Sequence, residues 1–306
     1  MTTHPALDAT TMPGPFGQPV RRIEDPALLT GRGRYADDIH FPGMLQAAFV
    51  RSPVSHGLVK SIDATVARAQ PGVRAVLTMA DLAPHLSSDR LSVGMPSKAY
   101  RQLRDRPILA DKEVCHVGEP VAVVIADDRY IAEDAAALVE VDYDILPASA
   151  DAEEAARPGS PLAHSDAEHN ILAEFNMGYG DTESAFATAP HVFRDKFFVH
   201  KGLGMALEGR GLVARYDALE DRLVVWLGTQ MPHMAHRMFI GLLGRNETNT
   251  RVVTPDIGGG FGPKLVFYPE DIVIATAALI LEAPVKWIED RREHFTSSTQ
   301  ERDQIW

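Results

Sequence analysis

The sequence of 306 residues contains a single cysteine, Cys115. One thiol excludes an intramolecular disulfide, a four-cysteine zinc site and an iron–sulfur cluster held wholly by this chain. Because chains without disulfides are typical of reducing compartments, we predict a cytoplasmic location. Cys115 stands beside His116, but neighbours on a strand point to opposite faces, so we do not predict a thiolate–imidazole nucleophile.

Basic residues are also in deficit, with 30 Lys and Arg against 42 Asp and Glu and a formal net charge of −12 at pH 7. Nucleic acids and anionic membranes are bound by basic surfaces, so this balance argues against both as partners. It leaves room for a small anion bound by local backbone groups.

Long hydrophobic runs are absent as well. The longest apolar stretch, near residues 272–281, is too short to span a bilayer. Residues 1–20 lack the basic start and the apolar centre of a secretory signal. Their Pro, Gly and Thr follow no period, so we predict a flexible arm.

The length is sufficient for about two domains. Residues 149–166 are small, acidic and contain proline, a composition typical of linkers. We place the linker at 151–166, between one domain at 21–150 and a second at 167–306.

Hydrophobic periodicity predicts helices and strands in both parts. The clearest signal is a strand–helix–strand succession, with an unbroken apolar run at Val121–Ala126, helix formers at Asp127–Val139 and alternation at Val139–Ile145. The other elements predicted in the first part are strands at Met44–Val50 and Gly72–Thr78, a short helix at Ala64–Ala69 and a long loop at 80–107. Those predicted in the second part are strands at Leu223–Leu227, Arg251–Val253 and Pro284–Glu289, a helix at His233–Leu243 and a buried helix at Ile272–Leu281.

Residues 256–264 form a glycine segment that reads DIGGGFGPK. Glycine permits positive φ and lets successive backbone N–H groups converge on an anion. The spacing is not that of a GxxxxGK[ST] phosphate loop, because Leu265 follows Lys264, and Pro263 breaks a GxGxxG dinucleotide motif. From these residues alone, a ligand-binding loop and a tight turn between packed elements are equally open.

Other polar positions admit a functional and a structural interpretation. His233 and His236 have a spacing compatible with a shared metal, but no third ligand is recognisable nearby, which favours a surface or capping role. Gln230 could present its amide to a ligand or bond the backbone at the end of a strand. Glu208 could be a buried carboxylate with a raised pKa, or it could pair with Arg210.

Four blocks of the sequence together resemble the molybdopterin-binding large subunit of xanthine dehydrogenase-type molybdenum hydroxylases. The blocks are 21–63, 117–148, 227–244 (LGTQMPHMAHRMFIGLLG) and 252–271 (VVTPDIGGGFGPKLVFYPED), the last continuing into 283–295 and 299–304. The LVFYPED continuation is similar to the branch that contains aerobic carbon monoxide dehydrogenases and aldehyde-oxidising enzymes. Leu265 stands where purine-hydroxylating members have glutamate, which argues against a purine substrate.

The resemblance implies an α+β chain in which an a/b hammerhead domain is followed by the first part of the molybdenum-cofactor-binding domain. In the family, the glutamine of the T-Q-x-P-H block hydrogen-bonds an oxo ligand of molybdenum, and that glutamine corresponds to Gln230. The GGGFG backbone contacts the cofactor, which carries over to Gly259, Gly260, Phe261 and Gly262. The resemblance implies no direct metal ligand in this chain.

The function implied by the resemblance is that of the cofactor-binding portion of an oxidoreductase that oxidises an aldehyde, CO or an N-heterocycle with water as the oxygen source. The implied cofactor is molybdenum–molybdopterin, as such or as the cytosine dinucleotide, with FAD on a medium subunit and [2Fe–2S] clusters on a small one. Family large subunits are much longer, and their general-base glutamate corresponds to a position beyond Trp306. We therefore predict a complementary polypeptide and no turnover by this chain alone. The alternative is a non-catalytic pterin- or anion-binding module, or an inactive truncated fragment.

Overall fold

The computed structural model describes Gly17, residues 19–92, 97–300 and 302–306. The arm predicted at 1–20 therefore lies almost wholly outside the described residues. The chain divides into two compact units, Met1–Arg34 and Tyr35–Trp306. The described part of the first unit holds a short helix, α1 (Asp25–Leu28), which begins with Pro26 in its first turn.

The second unit contains the sheets and the remaining helices. Its strands are β1 (Leu45–Arg51), β2 (Gly57–Asp63), β3 (Val73–Leu77), β4 (Arg90–Leu91), β5 (Arg106–Pro107), β6 (Glu113–Val114), β7 (Pro120–Ala126), β8 (Glu140–Ile145), β9 (Phe198–Val199), β10 (Gly211–Asp217), β11 (Arg222–Leu227), β12 (Thr250–Val253), β13 (Val285–Ile288) and β14 (Gln304–Ile305). Its helices are α2 (Thr65–Arg68), α3 (Met79–Leu82), α4 (Arg129–Ala136), α5 (Ala152–Ala155), α6 (Thr182–Thr188), α7 (Pro232–Leu243), α8 (Pro269–Leu281) and α9 (Arg291–Ser297). This mixture of mostly antiparallel sheet and helix confirms the predicted α+β class.

The main sheet has seven strands in the order β12-β11-β10-β13-β1-β7-β3. The pairs β1/β13 and β11/β12 are parallel, and the other neighbours are antiparallel. Strands β1, β3 and β7 precede the linker predicted at 151–166, whereas β10 to β13 follow it. The strands of the two predicted domains therefore lie side by side in one sheet.

One face of the main sheet is covered by α7 and α8. Side chains alternate across a strand, which brings Phe49 of β1, Leu212 of β10 and Trp287 of β13 into one core with these helices. Helix α8 is buried from Pro269 to Ala278 and is apolar on nearly every side. The buried helix predicted at Ile272–Leu281 is thus confirmed.

The opposite face packs on α2, α4 and a three-stranded sheet with the order β6-β2-β8. Strand β7 is buried along its whole length, as its unbroken apolar run predicts. Its Val123 and Ile125 lie in the core with α8, whereas Val121 and Val124 lie in the second core.

The strand–helix–strand succession predicted at 121–145 is confirmed, but its two strands lie in different sheets. Strand β8 pairs with β2 and not with a strand of the main sheet. Its Glu140, Asp142 and Asp144 are exposed, and a strand with three carboxylates on one face cannot be buried on both faces.

Several elements were not predicted. The long loop expected at 80–107 contains β4 and β5, which pair with each other. Strands β2 and β10 and helix α9 were not predicted either. Two-residue strands leave no period to detect, and a charged residue interrupts the apolar pattern of both β2 and β10. Among the described residues, no helix combines the length and the apolar character needed to cross a membrane.

Candidate functional site

The glycine segment follows β12 and ends in a 3₁₀ turn at Pro263–Leu265. Its backbone enters the left-handed region at three positions, with φ of +100° at Gly259, +53° at Phe261 and +102° at Gly262. Glycine adopts this region freely, whereas a phenylalanine does so only where its surroundings hold it. The turn is closed by the backbone N–H of Leu265, which donates to Gly262 O at 2.8 Å.

Two glycines of the segment are required by close neighbours. A Cβ on Gly258 would lie 2.5 Å from Glu208 Cβ, and a Cβ on Gly260 would lie 2.5 Å from Gln230 Oε1. Non-bonded carbon atoms keep about 3.5–4.0 Å apart, so a side chain at either position would displace Glu208 or Gln230. The inner side of the segment is therefore closely packed.

The outer side of the segment presents backbone donors. The N–H groups of Gly259, Gly260 and Phe261 donate to no acceptor among the residues that the structure describes. The Phe261 side chain is 67% exposed, so this side is open to a ligand. Successive N–H groups in a backbone that enters the left-handed region can converge on an anion.

Gln230 lies directly beside these donors. It follows β11, and its backbone N–H donates to Lys264 O at 2.8 Å. Its side-chain Oε1 accepts a hydrogen bond from the N–H of Gly262 at 3.2 Å, which fixes the amide against the glycine segment. Within the described part of the chain Nε2 has no acceptor, so it can donate to a ligand. The structure thus brings Gln230 together with Gly259, Gly260, Phe261 and Gly262.

A buried ion pair supports the segment from below. Lys264 is 3% exposed, and its Nζ donates to Glu208 Oε2 at 2.6 Å. The same carboxylate oxygen accepts a hydrogen bond from the N–H of Gly258 at 2.8 Å. Glu208 therefore fixes both ends of the glycine run. The sequence did carry a signal for this pair, because a lysine followed by the apolar residues LVFY is expected to be buried and to need a counter-charge.

The alternative that paired Glu208 with Arg210 is wrong. Arg210 is buried and donates instead to Glu289 at 2.7 and 2.8 Å and to Glu270 at 3.1 Å. Residues two apart on an extended chain reach the same side, but Arg210 lies just before β10 and is buried against Glu270 of α8 and Glu289, which follows β13. Neither carboxylate was predicted from the sequence as a partner of Arg210.

The Arg210 cluster is a network of charges held away from water. His294 Nδ1 lies 2.8 Å from Glu289 Oε2. Burial alone raises the pKa of a carboxyl, but the His294 hydrogen bond and the Arg210 charge outweigh it and lower the pKa of Glu289. For Glu270, the charges of Arg210 and Arg51 outweigh burial and lower its pKa to about 2. Both carboxylates are therefore ionised at neutral pH.

Tyr268 joins this cluster to the glycine segment. The Arg210 guanidinium lies 3.8 Å from the centre of the Tyr268 ring, a cation–π contact. The phenolic O–H donates to Pro263 O at 2.7 Å, and Asp271 Oδ2 accepts from the backbone N–H of Tyr268 at 2.9 Å. A rigid base of charged and aromatic groups thus supports the segment and the start of α8.

Among the described residues, no third metal-ligating side chain joins His233 and His236 of α7. His236 Nε2 lies 2.9 Å from Thr250 O, and His233 is exposed. The surface role favoured for this pair agrees with these positions. Among the described residues, three metal-ligating side chains converge elsewhere, at Glu113, Cys115 and His164.

Cys115 does not pair with its neighbour His116. Its Sγ lies 3.2 Å from His164 Nδ1, a partner 49 positions away that the local sequence could not reveal. Burial, followed by the charges of Glu119 and Glu113, raises the pKa of the Cys115 thiol to about 12. The thiol is therefore protonated at neutral pH, which agrees with the absence of a predicted nucleophile.

The donor set beside the glycine segment fits one side of an anionic or oxo-bearing group. Three consecutive backbone N–H groups and the Gln230 amide are all hydrogen-bond donors, and the positively charged Lys264 is neutralised by Glu208. Gly259, Gly260, Phe261 and Gly262 carry no carboxylate, thiolate or imidazole, and neither does Gln230. The residues present can therefore hold a cofactor through its oxygen atoms rather than through a direct metal bond.

Two family models match this chain. The molybdopterin cofactor-binding domain matches residues 163–306, and the a/b hammerhead domain of aldehyde oxidase and xanthine dehydrogenase matches residues 30–147.

Relatives align with almost the whole chain. The nicotine 6-hydroxylase large subunit of Paenarthrobacter nicotinovorans is 36% identical over 95% of this chain and 35% of its own length. The carbon monoxide dehydrogenase large chain of Hydrogenophaga pseudoflava is 38% identical over 92% of this chain and 36% of its own. The crystal structure of quinoline 2-oxidoreductase from Pseudomonas putida 86 superposes with a TM-score of 0.88 and 38% identity, over 94% of this chain and 36% of that one. The chain thus spans about a third of the length of these relatives.

Proposed function

Because the chain belongs to the family of xanthine dehydrogenase-type molybdenum hydroxylases, as part of the large subunit, we propose that Gln230 and the glycine segment bind a molybdenum–molybdopterin cofactor. The observation that supports this most directly is the row of free N–H donors at Gly259, Gly260 and Phe261 beside the Gln230 amide. When bound, such a cofactor supplies a redox-active centre at which a substrate carbon gains an oxygen atom derived from water.

Each residue has a defined task in this proposal. Gln230 Nε2 donates to an oxo group of the cofactor, while its Oε1 stays bonded to the N–H of Gly262. The N–H groups of Gly259, Gly260 and Phe261 orient the same group, because donors that are already in place require no reorganisation. We assign no proton-transfer role to any residue of this chain.

The substrate class follows from the relatives and from one side chain. Three of the matched relatives are named for carbon monoxide, nicotine and quinoline, and the LVFYPED segment resembles the aldehyde-oxidising branch, so we propose CO, an aldehyde or an N-heterocycle as the substrate. Leu265 is 56% exposed next to the glycine segment and offers no hydrogen-bonding group to a purine. A purine substrate is therefore not proposed.

The complete enzyme requires other polypeptides. A single cysteine cannot hold an iron–sulfur cluster, so [2Fe–2S] clusters and FAD would be carried by a small and a medium partner subunit. A further polypeptide segment would complete the large subunit, with the cofactor as molybdopterin or its cytosine dinucleotide. The division into a hammerhead domain at 21–150, a linker at 151–166 and a cofactor domain at 167–306, and the cytoplasmic location, belong to the same proposal.

The test is to express the tagged chain, alone and with its complementary polypeptides, in a host that makes the cofactor. Molybdenum and pterin are then quantified per chain. We expect near-stoichiometric loading in the complex and no turnover by the chain alone. Gln230→Ala should lower molybdenum content by about tenfold, a loss of about 1.4 kcal/mol in binding. Gln70→Ala replaces a partly buried glutamine beyond the end of α2, whose amide donates to Val66 O, and should leave the molybdenum content unchanged.

A metal-free, pterin-free and monodisperse chain in the presence of its partners would contradict the proposal and favour a non-catalytic module. Equal molybdenum content in Gln230→Ala and Gln70→Ala would leave the family assignment intact but remove Gln230 from the site.

A further inference from the structure

A second set of ligand-type side chains lies on the three-stranded sheet. Glu113 belongs to β6 and Cys115 is the first residue after that strand. His164 comes from the segment predicted to be a linker. One ligand atom of each residue lies within 4.8 Å of the others, and all three residues are partly buried. They line a cleft of about 550 Å³.

Glu113 is oriented before any ligand arrives. Its Oε1 accepts hydrogen bonds from the backbone N–H of Ser165 at 2.7 Å and shares a 2.9 Å contact with His56 Nε2. The His56 ring is itself buried and fixed by a 3.1 Å contact from Nδ1 to Pro147 O. Both of these hydrogen bonds use Oε1, so Oε2 is the oxygen that would bind a cation.

The other two ligand atoms are already close to a coordinating separation. Cys115 Sγ and His164 Nδ1 lie 3.2 Å apart. Zinc bonds of about 2.3 Å to sulfur and about 2.0 Å to nitrogen at a tetrahedral angle require a separation of about 3.5 Å. A shift of a few tenths of an ångström therefore admits an ion between them, and Glu113 needs to move inward by about 1 Å.

We propose that Glu113, Cys115 and His164 bind a divalent transition-metal ion of the zinc type, with a water molecule as the fourth ligand. A thiolate, an imidazole and one carboxylate match the ligand preferences of zinc and cobalt rather than those of magnesium or calcium. Binding exchanges the thiol proton for a bond from sulfur to the metal, and the proton passes to solvent. One thiolate and one carboxylate neutralise the 2+ charge, which suits a partly buried site.

The consequence of this site is structural. It would cross-link the end of β6 to residues 164–166, which are already connected by the Ser165–Glu113 hydrogen bond and the His164–Cys115 contact. The proposal uses no residue of the glycine segment and is independent of the function proposed above.

The test is titration of the full chain with Co²⁺ and Zn²⁺. Co²⁺ should produce a thiolate-to-cobalt charge-transfer absorption, and because Cys115 is the only cysteine, such a band can come from no other thiol. Cys115→Ser should abolish the band, and His164→Asn and Glu113→Gln should weaken Zn²⁺ binding at least about tenfold. His233→Asn, which removes an exposed histidine of α7, is the matched control and should bind as tightly as the unaltered chain.

A second measurement needs no variant. Zn²⁺ should protect Cys115 from alkylation by iodoacetamide in the unaltered chain, whereas Mg²⁺ should not. The proposal is overturned if Co²⁺ gives no charge-transfer band, if Zn²⁺ does not slow alkylation, or if folded His164→Asn binds as well as His233→Asn. The contact between Cys115 and His164 would then be a hydrogen bond only.

Discussion

At the scale of single residues, the glycine segment is shaped by the side chains on its inner side. Gly258 and Gly260 have no room for a Cβ because Glu208 and Gln230 lie against them. The segment therefore combines two properties that composition alone left as alternatives. Its inner side is a tight turn between packed elements, and its outer side presents free N–H donors.

Gly260→Ala should displace Gln230, because the new methyl group would lie 2.5 Å from its Oε1. We expect a loss of about 1–3 kcal/mol in the free energy of unfolding, measured by chemical denaturation. Gly241→Ala is the control: this glycine of α7 has ordinary helical φ and nothing within 4 Å of its added Cβ. Alanine there should stabilise by up to about 1 kcal/mol. Equal effects of the two substitutions would contradict the close packing at Gly260.

Glu208→Gln should leave the ammonium group of Lys264 buried without a counter-charge. We expect a loss of about 3 kcal/mol or more in unfolding free energy. Adding Lys264→Met should recover much of that loss, because the double variant buries no charge. A double-mutant cycle at pH 7 measures the coupling, and purely additive losses would show that the two groups do not act as a pair.

The sequence pointed to the residues of the candidate site but not to the ion pairs that hold them in place. Gln230 and the glycine segment carry local signals, a strand end and a run of glycines. The partners of Lys264 and Arg210 come from positions 56 and 79 residues away, and pairing over such distances leaves no local pattern. This is why the Glu208–Arg210 alternative was wrong although both residues were correctly recognised as polar groups in an apolar setting.

At the scale of elements, Arg210 joins the start of β10 to three neighbours. Its guanidinium bonds Glu270 of α8, Glu289 at the end of β13 and Ser297 of α9. These elements meet only if their charges are paired, because an unpaired buried charge is strongly unfavourable.

The pH dependence of stability should reveal this network. The pKa values of Glu270 and Glu289 are lowered in the folded chain, so these groups stabilise it above their ordinary pKa and lose that contribution as pH falls below it. Arg210→Met removes one compensating charge from each carboxylate, so both pKa values should rise toward their ordinary range. The free energy of unfolding of the variant should be lower than that of the unaltered chain by about 3–5 kcal/mol at pH 7, and by distinctly less at pH 3.

The measurement is urea denaturation of both chains at the two pH values. Arg74→Met is the control, since the Arg74–Asp127 pair is exposed and its removal should matter little at either pH. A loss at Arg210→Met that is independent of pH would show that the guanidinium stabilises by packing alone.

Elements were predicted where a single physical cause dominates their sequence. Strand β7 and helix α8 are buried on all sides, and an unbroken apolar run records that directly. Strand β10 is buried over its first four residues but ends in the less buried residues RYD, so its pattern changes within seven residues. The sequence did not indicate which sheet a strand joins: β7 and β8 follow each other along the chain but lie in different sheets.

At the scale of the whole molecule, the longest exposed region among the described residues is 171–198, where every residue is exposed. It includes large apolar side chains, among them Tyr179 at 96%, Phe186 at 65% and Phe193 at 90%. Apolar surface of this kind marks an interaction site.

The triple variant Tyr179→Ser, Phe186→Ser, Phe193→Ser should bind less hydrophobic dye and self-associate less than the unaltered chain. Its melting temperature should stay nearly the same, because surface substitutions change stability by about 0.5 kcal/mol or less. Phe239 of α7 is buried in the core, so Phe239→Ser should instead lower the free energy of unfolding by about 3 kcal/mol or more. Light scattering and thermal melting check these outcomes, and a large loss of melting temperature in the triple variant would show that the three rings are packed.

The pairing of β1 with β13 sets the order in which the protein can form. Leu45 lies opposite Val285, and Lys286 Nζ donates to Asp37 O across 249 positions of the chain. At about 5–20 residues per second, a ribosome needs roughly 10 to 50 seconds between these two strands. During that time the edge of β1 that will meet β13 is an open template for other chains. Efficient production of this protein should therefore depend on chaperones that shield the early strands, and on translation speed, more than on its final stability.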